Sequence, residues 1–371
     1  MVKTLLKRYR KFRFLATRTE RGFTLLELLV AMVVAGLISA GLLFMVVQLI
    51  QTNLREAARS DTQRDLQSAI DYIARDVREA VFVYDATCLL DRPSGADAAR
   101  CPGLRSYLPA AITESSNNIP VLAFWRLDPL PGQSAPPTEF RKLCKDQAAA
   151  YSRSGNLPTV IEGVPCLSGQ IYTLVVYSLN NDPSRTISQG RARIMRYELP
   201  QFTSGSLPSS PTSSPTATQG WVSPRARVLT STGSKETSFL SWPVNKSSLL
   251  GGTLDSLQTA RPTGSGDPLT DFVDWFGLYE ASSRGRAPEI SEMVLTPANG
   301  SAVANDPPRG FYVYVRGGNE QGDLNQEVII RIQGDAAGRP GIPNIGSLNR
   351  PIAPISLETR VLTRGVTNKT Q

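Results

Sequence analysis

The chain contains no histidine, which excludes several common kinds of active site. Without histidine there can be no Ser/His/Asp triad, no Cys/His nucleophile pair and no zinc site with a histidine ligand. Asp271 and Asp274, beside Trp275 and Phe276, could form a paired-carboxylate site for sugar chemistry. A three-residue spacing on a short helix is more typical of a solvated face. We therefore expect a protein without enzymatic activity and without a cofactor.

Clusters that resemble a metal site are equally scarce. Asp323, Asn325 and Glu327 alternate along the chain with Glu320 nearby, and oxygen ligands at such spacing can hold Ca²⁺. The run lacks the glycine and the twelve-residue frame of an EF-hand loop. A polar β-turn explains it as well, so we expect no metal centre.

Cysteine is sparse, and all four cysteines follow residue 87. They are Cys88, Cys101, Cys144 and Cys166. In an oxidising compartment four cysteines allow three pairings, among which sequence alone does not decide. The spacing favours Cys88–Cys101 and Cys144–Cys166, because each pair closes a short loop. Four unpaired thiols are the alternative.

Helix-breaking residues are rare in the first quarter of the chain. No proline occurs before Pro93, and Gly36 and Gly41 are the only glycines in the segment 23–94. Proline and glycine are the residues that interrupt a helix most strongly. The sequence therefore predicts a helix from Phe23 to about Tyr84.

Charge is nearly absent from Phe23 to Ile50, where Glu27 is the only ionisable side chain. Leu28–Val47 is apolar except for Ser39, and this is enough to cross about 30 Å of hydrocarbon. An acid at the head of such a helix is costly, which makes Glu27 a candidate functional residue. We predict a transmembrane helix over 23–50.

Positive charge is concentrated before this helix. Residues 1–22 carry eight bases and one acid, a net +7 of the total of +8, which leaves about +1 for the rest. The bases are Lys3, Lys7, Arg8, Arg10, Lys11, Arg13, Arg18 and Arg21. Lysine and arginine stay cytoplasmic, so we expect everything after the helix to face outward. A nucleic-acid-binding protein would need its basic excess outside this leader, so no nucleic acid is expected as a partner.

Beyond the transmembrane helix, apolar residues recur at steps of three and four. They are Leu66, Ala69, Ile70, Ile73, Val77, Ala80 and Val81. This period is typical of an amphipathic helix, predicted here over 51–84.

From Asp85 the chain consists of short β-rich runs separated by Pro, Gly, Ser and Asn, and we predict one β-rich head over 85–371. The predicted strands are Pro120–Arg126, Ile171–Leu179, Ala192–Leu199, Ser238–Val244, Gly310–Arg316, Glu327–Gln333 and Ser356–Leu362. Gly310–Arg316 and Glu327–Gln333 are expected to form a hairpin. Ser204–Gly220 is rich in Ser, Thr and Pro and is predicted to be a mobile surface loop.

The junction Arg-Gly-Phe-Thr-Leu-Leu-Glu, together with its basic leader and apolar run, resembles the type IV prepilin signal. Gly22, Phe23 and Glu27 match that motif residue by residue. The resemblance implies that a prepilin peptidase cuts between Gly22 and Phe23 and methylates the new amino group of Phe23. In a filament, Glu27 of one subunit could neutralise the amine of its neighbour and lower the cost of both buried charges.

Residues 65–80 are similar to the PilW/PulJ (GspJ) group of minor subunits. Residues 65–85, with residues 119–125 further on, are similar to the cyanobacterial pseudopilins of hormogonium polysaccharide secretion. The implied fold is α+β and pilin-like, a long N-terminal transmembrane helix packed on an antiparallel β-sheet domain. The implied function is that of a minor subunit in polysaccharide secretion and gliding motility; the alternative is a pilus-tip protein for adhesion or DNA uptake.

The same resemblance implies the partners and the location. The partners are other minor pilins or pseudopilins, the major pilin, the prepilin peptidase, the inner-membrane assembly platform and membrane lipid. The expected location is a single pass through the inner membrane, with the leader 1–22 in the cytoplasm and the head in the periplasm or outside the cell.

Overall fold

The computed structural model describes most of the chain after its first 21 residues. The described residues are 22–89, 91–94, 98–113, 117–131, 144–145, 149, 168–181, 190–203, 216–231, 233–275, 289–297, 309–317, 326–343 and 354–363. The chain divides into two units, Met1–Asn53 and Leu54–Gln371. Helix α1, Leu25–Arg78, contributes to both units.

The second unit is built mainly from antiparallel strands. They are β1 (Ala80–Val83), β2 (Asn118–Pro129), β3 (Gln170–Asn180), β4 (Ala192–Pro200), β5 (Arg227–Thr230), β6 (Gly233–Glu236), β7 (Asp267–Val273), β8 (Val294–Thr296), β9 (Phe311–Arg316), β10 (Glu327–Asp335) and β11 (Pro354–Leu362). Two short helices, α2 (Ala86–Leu89) and α3 (Ala110–Thr113), lie between β1 and β2. Within the described residues the main sheet has the order β1-β2-β3-β4-β7-β10-β9-β8, with β11 added on β10, while β5 and β6 pair only with each other.

The predicted helix over 51–84 is wrong at its end, because α1 stops at Arg78 and Ala80–Val83 is strand β1. Val81, Phe82 and Val83 are β-branched or aromatic, and such residues favour a strand when a neighbouring strand is available. Strand β1 pairs with β2. On β1, the side chain of Gln326 bonds both backbone groups of Val83, accepting from the N–H and donating to the C=O, each at 2.7 Å.

Most predicted strands coincide with observed ones. The predicted hairpin is confirmed, with β9 and β10 antiparallel in a register that places Phe311 opposite Ile332. The prediction of a strand at Ser238–Val244 is wrong. Ser238 and Ser241 instead close a turn through reciprocal bonds between the backbone N–H of each and the hydroxyl of the other. The predicted loop Ser204–Gly220 lies mostly outside the described residues.

One face of the sheet packs against the second half of α1. Leu66, Ile73 and Val77 are fully buried in a core that includes sheet residues Phe124 and Ile330. Gly334 of β10 allows this approach, because a Cβ at that position would collide with the Leu66 side chain. This packing confirms the predicted α+β pilin-like fold, in which an amphipathic helix lies on an antiparallel sheet.

The opposite face of the sheet is also covered. Trp125 of β2 packs against Trp242, and Leu104 and Leu108 belong to the same buried cluster.

Cys88 and Cys101 form a disulfide with a Cα–Cα distance of 5.7 Å, which joins α2 to the segment before α3. Cys144 is buried beside Phe202. Cys166 lies outside the described residues, so its pairing with Cys144 stays a prediction.

Candidate functional site at the N-terminal helix

Helix α1 begins with a side-chain cap. The Thr24 hydroxyl accepts a hydrogen bond from the Glu27 N–H at 3.3 Å, and the Thr24 carbonyl accepts one from the Leu28 N–H at 3.2 Å. A threonine followed three residues later by a glutamate is the signature of a capping box, which satisfies N–H groups that a helix start leaves unpaired. Gly22 and Phe23 precede the helix, so the predicted cleavage bond lies outside the helical hydrogen-bond ladder. Sequence reasoning missed Thr24, although the capping box is visible in the sequence.

The first half of α1 is apolar and exposed along its whole length. Leu25, Leu26 and Met32 are 84%, 73% and 70% exposed. The most apolar stretch of α1 has a mean hydropathy of 2.6 and no buried residue, and by length and composition this is the one described helix that could cross a membrane. So large an apolar surface is stable only in lipid or against other apolar helices.

The three residues of the predicted processing site lie close together in sequence at this exposed end. Gly22 and Phe23 stand immediately before the cap, and Glu27 stands in the first turn of α1. The structure therefore provides an accessible junction with an acid one turn beyond it. Cleavage, methylation and the assembly role of Glu27 stay predictions.

The prokaryotic N-terminal methylation motif matches residues 17–43. No curated protein and no solved structure matches the chain. The motif, together with a long apolar N-terminal helix that could anchor the chain in a membrane and a curled antiparallel sheet, indicates a type IV pilin-like protein. Such a motif implies assembly with other pilins and processing by a prepilin peptidase, and it is typical of structural subunits.

A buried cluster of charges holds the C-terminal end of α1 on the sheet. Asp76 accepts hydrogen bonds from the Tyr177 hydroxyl at 2.6 Å and from Arg196 Nε at 2.9 Å, and it also pairs with Arg126. Glu198 bonds both arginines, at 2.8 and 2.6 Å. The cluster links the helix to β2, β3 and β4.

Protonation within this cluster is set by burial and by the neighbouring charges. Burial, and then the negative charge of Asp76, raises the pKa of the Tyr177 hydroxyl above its ordinary value, so it remains a donor. Burial alone would lower the pKa of Arg196, but its bonds to Asp76 and Glu198 outweigh this effect and raise it. The arrangement is a fixed set of charge-assisted bonds.

The paired-carboxylate site considered for sugar chemistry involved Asp271 and Asp274 beside Trp275 and Phe276. Asp271 lies in strand β7 and not on a short helix, which corrects the geometry assumed for the carboxylate pair. Asp274 is fully buried, and the Arg309 guanidinium lies 3.9 Å from the centre of the Trp275 ring. Phe276 lies outside the described residues.

The possible calcium ligands are not assembled by the described part of the chain. Glu327 is buried and forms ion pairs with Arg316 and Arg360, so its carboxylate already has two cationic partners. Glu320, Asp323 and Asn325 lie outside the described residues. Among the residues that are described, no group of three acidic, cysteine or histidine side chains is arranged to hold a metal ion.

Proposed function

We propose that the chain is a minor pilin or pseudopilin subunit of a type IV pilus or a type II secretion-like filament. It is cut by prepilin peptidase after Gly22 and methylated on Phe23. The observation that carries the proposal is the methylation motif over 17–43, which leads directly into an exposed apolar helix attached to a folded head. The role is structural, with no chemical step assigned to the chain.

The proposed filament is one that supports polysaccharide secretion and gliding motility. The support is the likeness of residues 65–85 and 119–125 to the PilW/PulJ group and to HpsC of the hormogonium polysaccharide system. The alternative, a tip protein for adhesion or DNA uptake, stays a prediction.

The proposed subunit is present in low copy, at or near the filament tip. A major subunit repeats many times along a filament, which favours a small head that tiles. The second unit spans Leu54–Gln371, and it carries the two-stranded β5–β6 element apart from the main sheet. A large and irregular head suits a position that does not repeat.

The proposed orientation places the leader in the cytoplasm and the head in the periplasm or outside the cell. The basic residues before Gly22 support this direction of insertion. The Cys88–Cys101 disulfide supports it independently, because such bonds persist in oxidising compartments. Partners in this location are the other pilins, the inner-membrane assembly platform and lipid.

The processing step is tested by mass spectrometry of the N-terminus in cells with an active prepilin peptidase. We expect the wild-type chain to begin with methylated Phe23. Gly22→Arg should retain the leader, because a bulky cation replaces the small residue at the cut, whereas Gly22→Ala is the conservative control. An intact leader on the wild-type chain would overturn the proposal, and so would abundance in sheared filaments equal to that of the main pilin.

A further inference from the structure

Residues 336–343, which follow β10 and form the 336–343 loop, are bound to α1 close to its apolar segment. A Cβ added to Gly341 would lie 2.6 Å from the Leu54 Cβ, so the loop backbone packs closely on the helix. Arg55 also donates its Nε–H to the Gly341 carbonyl at 3.4 Å. The loop therefore contacts α1 at the first residues that follow the apolar segment.

The 336–343 loop is held in one shape by its own backbone. Arg339 donates its N–H to the Ala336 carbonyl at 3.1 Å. Ile342 accepts a hydrogen bond from the Gly338 N–H and donates one to the Arg339 carbonyl, both at 3.0 Å. Ala336 and Ile342 form a small buried cluster with Ala58 of α1. The loop is thus a preformed surface that needs no partner in order to fold.

The position of the loop along α1 matches the depth of lipid headgroups. Leu54 follows Ile50, the last residue of the apolar segment, by four residues of one continuous helix, about 6 Å along its axis. The headgroup layer on each side of the hydrocarbon is about 5 to 7 Å thick. Pro340, Gly341 and Pro343 are exposed and uncharged. This edge of the loop can therefore lie among headgroups without burying a charge.

Two arginines on α1 supply ligands for lipid phosphate. Arg55 and Arg59 are exposed and lie one turn apart on the same side of the helix. The Cα–Cβ bonds of a helix tilt toward its N-terminus, which in α1 is the end with the apolar segment, so both side chains lean toward the membrane. Long arginine stems let the guanidinium reach headgroups, and a guanidinium binds phosphate oxygens bidentately. Glu56 is the one acid in the segment 51–60, which keeps a net positive charge.

We propose that the exposed edge of the 336–343 loop, together with Arg55 and Arg59, is a docking surface for phospholipid headgroups. The occupant is a lipid surface because the apolar segment that ends one turn earlier must itself be surrounded by lipid. Leu54, which is 41% exposed, continues that apolar surface up to the loop. The inference rests on the anchoring of α1 in a membrane and does not depend on the minor-subunit role.

The consequence is a contact that belongs to the unassembled chain. Lipid bound at the loop and at the two arginines restrains the head at the membrane surface, in addition to the covalent link through α1. A chain that enters a filament leaves the lipid, so this contact is lost on assembly.

The test is fluorescence quenching of the purified full chain in vesicles of phosphatidylethanolamine and phosphatidylglycerol. Pro343→Cys, labelled with an environment-sensitive fluorophore, should be quenched several-fold more than Asp71→Cys by a spin label on the lipid headgroup. Asp71 is an exposed residue of α1 about 31 Å beyond Ile50 along the helix axis. Pro340→Cys, at a second exposed position of the loop, should behave as Pro343→Cys does. The same labelling of the wild-type chain gives the background.

A charge reversal checks the two arginines. Arg55→Glu with Arg59→Glu, in the Pro343→Cys chain, should reduce headgroup quenching several-fold, because carboxylates repel lipid phosphate. The matched control is Arg64→Glu with Arg75→Glu, which makes the same change of charge at exposed positions farther along α1 and should leave the quenching unchanged. Equal effects of the two double substitutions would overturn the proposal.

A probe within the apolar segment separates failure of this proposal from failure of the anchor. Ser39→Cys should be quenched by a spin label on the lipid acyl chain. Quenching at Ser39→Cys, combined with loop positions that are quenched no more than Asp71→Cys, would overturn the docking surface and leave the anchor in place. Absence of quenching at Ser39→Cys would overturn the anchor, and with it both the docking surface and the proposed function.

Discussion

At the scale of single residues, Glu27 has two separable properties. Its backbone N–H is bonded by the Thr24 hydroxyl, and its side chain carries the only charge in the segment 23–50. The first property concerns how the helix starts, and the second concerns the proposed pairing with the amine of a neighbouring Phe23. Glutamine at the same place retains the capping pattern but not the charge.

We expect Glu27→Val and Glu27→Gln to lower incorporation into the filament complex to a similar extent, because both remove the charge. Thr24→Val, which removes the cap and keeps the charge, is the matched control and should assemble better than either. The measurement is co-purification of each variant with partner subunits from the same membranes. Wild-type recovery of Glu27→Gln would show that the charge is not needed for assembly.

At the scale of elements, the decisive contact is the one between the second half of α1 and the sheet. The apolar stripe of α1 is used for this contact and is buried, so it is not a surface for neighbouring subunits. Gly334 permits the close approach, and Asp76 ties the end of the helix to three strands. The exposed side of this part of the helix carries charges of both signs, such as Arg64 and Asp61.

We expect Asp76→Asn to lower the free energy of unfolding by about 2 kcal/mol, because the partly buried Arg126 and Arg196 lose the buried one of their two shared carboxylates and keep only Glu198. Asp71→Asn, on the exposed side of the same helix, should change it by less than about 0.5 kcal/mol. Denaturant unfolding followed by tryptophan fluorescence measures both. Equal effects of the two substitutions would contradict the role assigned to the buried cluster.

At the scale of the whole molecule, the division after Asn53 separates an apolar anchor from a head that has its own core. The head is completed by α1 residues such as Leu66 and Ile73, which lie in the core between helix and sheet. The boundary of a soluble head therefore lies within α1 and not at its end.

We expect a chain truncated to Leu54–Gln371 to be soluble and to unfold cooperatively, since it keeps the buried stripe and loses the exposed apolar segment. A chain that begins at Ala80 is the matched control and should aggregate, because the helix-facing side of the sheet is then exposed to water. Size-exclusion chromatography and thermal unfolding compare the two. A head that fails to fold from Leu54 would mean that another subunit completes its core.

The sequence by itself determined the features that depend on local composition. Each of these features is a run of similar residues or a regular spacing of apolar residues within one segment. They are the basic leader, the junction around Phe23, the apolar helix and the amphipathic stripe. The hairpin of β9 and β10 is visible for the same reason, because its partners are close in sequence and alternate in polarity.

Only the tertiary structure decided the features that depend on distant partners. The helix ends at Arg78 because β2 and Gln326 offer hydrogen bonds to Val83 that a local pattern does not contain. Asp76 stands among charged residues in the sequence and is buried because Arg126, Tyr177 and Arg196 surround it in space. The order of the described strands, with β11 at one edge of them, follows from pairings between segments far apart along the chain.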